Sequence, residues 1–131
     1  MAIGFAGNQG ASGDTWTERF EAIVERQFAL YGALDALSQK QTELVDAGDA
    51  EGVLAILRQR QGIVEEIVDL AERARVYRDQ LGSGAAGVAP GARERLTSRV
   101  GAIERLADEI NARDERDRQS LAASMIWPSG V

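Results

Sequence analysis

The stretch LVDAGDAEGVLAILRQRQ, residues 44–61, sets a glycine and an aspartate side by side in the middle of a long helix-favouring sequence. Glycine reaches the left-handed backbone that ends a helix, and an aspartate carboxylate accepts from the free amides that begin one. Gly48 as a C-terminal cap followed directly by Asp49 as an N-terminal cap predicts a hairpin corner between two helices. A single rod through Gly48 would lose only about 1 kcal/mol, so the adjacent Asp49 decides for the corner.

Outward from this corner the apolar residues recur at alternating steps of three and four. Upstream the stripe is Trp16, Phe20, Ile23, Gln27, Leu30, Leu34, Leu37, Gln41 and Leu44, widened by Val24, Tyr31 and Val45. Downstream it is Val53, Ile56, Arg60, Ile63, Ile67, Leu70, Ala74, Tyr77 and Leu81. Both are the 3.6-residue period of an amphipathic helix, not the alternation of a strand. TWTE at residues 15–18 reads as a capping box, in which Thr15 and Glu18 satisfy each other's free amides. Gly82 and the Gly- and Pro-rich run after it end the second helix, and Pro90 suits the first turn of a third. That helix opens on Leu96, Val100, Ile103, Leu106 or Ala107, and Ile110. In residues 111–120 Ala112 is the only apolar residue, so no seam is expected to continue there. The expected fold is all-α: an antiparallel three-helix, up-down-up bundle of long helices over 15–47, 50–81 and 90–126 within residues 15–127, flanked by tails at 1–14 and 128–131.

Composition narrows the function. The net charge is −6, and the Arg residues after residue 83 alternate with acids, so the basic face that nucleic acid requires is not expected. Neither histidine nor cysteine occurs, which removes imidazole acid–base chemistry, thiolate chemistry and the Glu-x-x-His di-iron bundle. The sequence holds no phosphate-binding or dinucleotide-binding glycine motif, no apolar run of membrane-spanning length, and no basic-then-apolar leader at its start. A non-enzymatic, cytoplasmic protein with no cofactor and no metal is the expectation.

Three groups of residues stand out as candidate sites. Gly48 and Asp49 form the structural corner. Arg60 is the one charge in the stripe of the second helix; folding the helices with short turns brings it near Asp114 and Gln41. A polar layer of Gln41, Arg60 and Asp114 would fix register; the alternative is that the third helix splays and both charges face water. The acids around Asp114 to Asp117 are interleaved with Arg113, Arg116 and Arg118 and lack a calcium loop's glycine, so a solvated or ion-paired helix face is expected. Beyond them Leu121, Met125, Ile126 and Trp127 could form an adaptable binding surface or could fold back on the corner near Leu44, Val45 and Val53.

The segment LSQKQTELVDAGDAEGVLAILRQRQGIVEEIVDL resembles the middle of the FlgN type of flagellar export chaperone, through Leu44, Gly48, Asp49, Leu54, Leu57, Arg60, Gln61 and Val64. The likeness covers roughly residues 15–125. The third helix departs from the Asn-rich repeat of that family, keeping only Asn111. The resemblance implies a cytoplasmic type III secretion chaperone that masks an amphipathic helical segment of an exported hook–filament junction protein, with the export gate as a further partner. It also implies a client-binding face in the C-terminal part, here Leu106, Ile110, Leu121, Met125, Ile126 and Trp127. The other reading is a structural adaptor or coiled-coil oligomerisation module, since heptad-like seams can pair between two chains as well as within one.

Overall fold

The computed structural model describes the backbone of residues 12–83 and 88–126, and the side chains of residues 15–81 and 88–123. Three helices follow one another: α1 (Ser12–Asp46), α2 (Ala50–Ser83) and α3 (Pro90–Ile126). They form the all-α, up-down-up bundle expected from the stripes. α1 is the central rod, with α2 antiparallel on one side and α3 parallel on the other.

The corner has the geometry that its two residues imply. Gly48 sits at φ 70°, the Asp49 amide donates to the Leu44 carbonyl at 2.9 Å, and the Gly48 amide donates to that of Val45 at 3.0 Å. These two bonds satisfy carbonyls that the end of α1 would otherwise leave unpaired. Asp49 then caps α2, its Oδ1 accepting from the Gly52 amide at 2.9 Å. Gly52 lies close beneath this cap: a Cβ there would lie 2.7 Å from Asp49 Oδ2 and 2.9 Å from Leu44 Cδ2, so those two side chains would have to shift. At the far end Pro90 opens α3, whose first turn is closed by the Arg93 amide donating to Ala89.

The start of α1 differs from expectation. The helix begins at Ser12, so Thr15 lies inside it and does not cap it. Ser12, Asp14, Thr15 and Thr17 are all cap-forming types, and with four of them inside six residues the sequence signal is spread over more than a turn. α2 also runs through Gly82 to Ser83 before it ends.

The core runs along α1. Phe20 and Val24 are completely or almost completely buried, with Ile23, Leu30 and Leu34 beside them, against Ile67, Leu70, Ala74 and Leu81 of α2 and Leu96, Ile103 and Ile110 of α3. Phe20 stacks on Tyr77 with ring centroids 5.4 Å apart and meets Trp16 edge-on, while the Trp16 indole donates to Gln80. This aromatic block closes the bundle at the start of α1. Opposite it, toward the corner, the core changes character.

Candidate functional site: a polar layer beneath an apolar groove

The third seam does not stop at the charged stretch. α3 continues without interruption, and its inward stripe of Leu96, Val100, Ile103, Ala107 and Ile110 passes through Asp114 and Asp117 and ends at the exposed Leu121. The steps of four and three persist; only the chemistry of the residues filling them changes. The absence of apolar residues at 111–120 therefore marks a layer where acids replace aliphatics, not a break in packing.

Those acids are met from the other two helices. The Arg60 guanidinium grips Asp114 with two prongs, at 2.8 and 2.6 Å, and donates to Gln41 Oε1 at 2.7 Å. Gln41 Nε2 passes the chain on to Asp117 Oδ2 at 3.0 Å, and Thr42 Oγ1 lies 2.9 Å from both oxygens of Asp117. On the other flank Arg113 donates to Asp35 at 2.9 Å and to Ser38 Oγ at 3.1 Å, and Ser38 makes a long contact with Asp114 at 3.4 Å. A continuous chain of eight side chains thus crosses all three helices, from Asp35 to Thr42. Ser38, Gln41 and Asp117 are buried, and Asp117, at 2% exposure, is held by the neutral donors Gln41 and Thr42. Among the described residues no buried side-chain polar atom lacks a partner, which is the condition for such a layer to specify one register rather than weaken the core.

Reading the stripes found Gln41, Arg60 and Asp114, because each occupies a seam position with the wrong polarity. Arg113 and Asp117 stand out in the sequence only as part of a solvated or ion-paired helix face, and nothing there singles out Asp35, Ser38 or Thr42. Their signal was available only by laying α1 beside α3 in parallel: Glu21 pairs with Arg95, Glu25 with Arg99 and Asp35 with Arg113, at nearly constant separation in sequence.

Above this layer α2 and α3 leave an open groove of about 470 Å³. Its floor is Gln41, Arg60, Asp114 and Asp117; its walls are Leu57, Gln61 and Val64 from α2 and Arg118 and Leu121 from α3. Leu57 and Val64 belong to a second apolar stripe on α2, made of Leu54, Leu57, Gln61, Val64, Val68 and Ala71, one residue ahead of the buried stripe throughout. All six are exposed, Leu54 to 52% and Val68 to 58%. One residue is about 100° around a helix, so this second seam faces the groove and solvent while the first faces α1. α2 is amphipathic twice over. Intramolecular packing uses one of its faces.

The client face expected on α3 is corrected in part. Ile110 is buried at 2% exposure in the core and cannot reach a partner. Leu106 is half-buried and does not line the groove. Leu121 is exposed and lines the groove together with Val53. The side chains of Met125 and Ile126, and all of Trp127, lie outside the described residues.

Among the described residues no cluster of His, Cys, Asp or Glu is arranged to hold a metal ion, and no helix is long and apolar enough to cross a membrane. No family model, no curated protein and no solved structure matches this chain.

Proposed function

We propose that this protein is a cytoplasmic carrier of an amphipathic helix, acting as a secretion chaperone of the flagellar kind suggested by its resemblance to the FlgN type. The observation that carries this reading is the uncovered seam of α2 beside the open groove. Apolar side chains at heptad spacing in a trough between two helices form a receptor for a further helix, with alternate turns of the guest anchoring on Leu57, Val64 and Leu121. A client helix in this trough would complete a four-helix arrangement. The polar floor favours a guest that places a hydrogen-bonding residue over Arg60 and Asp114, because an aliphatic residue there would strip water from the exposed part of Asp114 without replacing it. Selectivity on this reading resides in the layer and affinity in the walls.

The test is calorimetric titration of the protein with purified C-terminal helical segments of the hook–filament junction proteins from the same organism. Binding is expected for the native chain and is expected to weaken at least tenfold for Leu57→Asp and for Leu121→Asp. Both substitutions fall on exposed positions, so the helical circular dichroism is expected to stay unchanged. An absence of binding, or binding indifferent to both substitutions, would remove the groove as the receptor. The heptad spacing of the same seam also favours the oligomerisation reading, whose geometry is specific enough to be worked out.

A further inference from the structure

We infer that the outward seam of α2 pairs with the same seam of a second copy, antiparallel, about a two-fold axis lying between Gln61 and Val64. The inference uses the face assigned above to a client helix but does not depend on that assignment.

The register follows from the residues. In an antiparallel pair of helices the two kinds of seam position face one another. One alignment sets Leu54 against the partner copy's Ala71, Leu57 against its Val68 and Gln61 against its Val64, and by symmetry each of these layers occurs twice. Every layer then joins a longer side chain to a shorter one, so the two surfaces interdigitate. Sliding one way by a heptad puts Leu54 and Leu57 against Arg78 and Arg75. Sliding the other way sets Val68 and Ala71 against Ala50 and Ala47 at the corner, leaving two of the exposed apolar positions with little to cover them. A parallel pair would place like on like, with Gln61 against Gln61 in the middle of the seam.

Charge selects the same alignment. The residues flanking the outward side of the seam, seven apart, are Glu51, Arg58, Glu65 and Glu72. Antiparallel pairing about this axis brings Arg58 of each copy beside Glu65 of the other. Both are exposed, and within the chain neither has an ion-pair partner among the described residues; Glu65 accepts only from the neighbouring Gln61 amide at 3.2 Å. The ends of the pairing bring Glu51 near the opposite Glu72, a like-charge contact that opposes association. With a net charge of −6 on each chain as well, the pairing is weak and reversible, and a helix entering the groove would compete with it.

Sedimentation equilibrium across a concentration series, with no peptide present, tests this directly. The expected result is a monomer–dimer equilibrium that Leu57→Asp abolishes. Glu65→Arg should weaken it by about tenfold, since the broken pair occurs twice. Adding Arg58→Glu to Glu65→Arg should restore it, and Glu72→Gln should tighten it. The native chain has no cysteine, so the register can be read by mixing Leu57→Cys with Val68→Cys: their mixed disulfide should form faster than either homodisulfide. A monomeric mass at every soluble concentration would overturn the inference. So would a dimer insensitive to Leu57→Asp, or a faster homodisulfide at Leu57→Cys, which would indicate parallel pairing. The peptide titration and this measurement fail separately: a monomer that still binds the client segment retains the groove and loses only the self-pairing.

Discussion

Replacing Arg60 by methionine isolates the contribution of the polar layer. The substitution keeps a long apolar stem in the seam and removes three hydrogen bonds, two to Asp114 and one to Gln41. Leaving one member of a buried ion pair alone costs about 3–5 kcal/mol. The Asp114 side chain is 31% exposed at the floor of the groove and can regain water, whereas that of Arg60 is only 12% exposed. Arg60→Met is therefore expected at the low end, about 3 kcal/mol, and Asp114→Leu about 4 kcal/mol, because the latter strands the better-buried charge. For a chain of this length 3 kcal/mol corresponds to a fall of about 10 °C in Tm. The double variant replaces the pair with apolar side chains and should be no less stable than the worse single, a coupling of at least ~3 kcal/mol. Urea unfolding followed by circular dichroism measures all four proteins. The coupling should survive 1 M salt, where the screening length is about 3 Å, because the pair is largely shielded. Single costs that simply add, to within about 0.5 kcal/mol, would show that the two side chains do not act together and would refute the layer.

The corner glycines should differ from those elsewhere. Gly48→Ala forces a side chain into positive φ and is expected to cost 1–2 kcal/mol, and Gly52→Ala a similar amount through its clash with Asp49 and Leu44. Gly62→Ala, where an added Cβ meets nothing within 4 Å, should instead stabilise by about 0.5–1 kcal/mol, and thermal melts of the three variants provide the comparison. Phe20→Ala, at a fully buried position, should cost 3–5 kcal/mol by the same unfolding assay. The hydrogen bond from Arg26 holds the Glu66 carboxyl below its ordinary range against the opposing effect of burial, with the charge of Arg26 adding to the lowering. A lowered carboxyl pKa adds stability that is present above the unfolded value and is lost as pH falls through the folded one. Carbon-detected NMR titration should find Glu66 titrating below an ordinary glutamate in the native chain and returning toward that range in Arg26→Met.

The fold was legible because its punctuation is chemical. Gly48 and Asp49 each have one backbone role that few other residues fill, and the structure uses both together. Gly52 was not legible, since nothing local shows that the Asp49 carboxylate and a Leu44 methyl close in on it. The polar layer was half legible. Arg60 and Gln41 announce themselves by interrupting apolar stripes, whereas Asp117 and Ser38 sit in sequence that is polar throughout, and their burial depends on which face of α3 meets α1. The outward seam of α2 was visible as letters but not as a surface. Leu54, Leu57 and Val64 carried the family resemblance, yet a stripe one residue from the core stripe merges with it until the packing shows which of the two is covered. The family resemblance, not the stripes, put Ile110 on the client face, although its spacing from Leu96 and Ile103 is that of the core.

α2 carries two seams, one packed inside the chain and the other exposed, and the exposed one is proposed to receive a partner helix. Methyl NMR of Leu- and Val-labelled protein tests it most directly, recorded over a concentration series and then with the junction-protein peptide added to dilute sample. Val76 is as exposed as Val68 but lies off the seam, which makes it an internal control. The expected result is that the methyls of Leu54, Leu57, Val64 and Val68 shift in one or both series while those of Val76, Leu30 and Leu34 stay in place. Seam methyls that remain still in both, or a Val76 that moves as far as Val68, would contradict it.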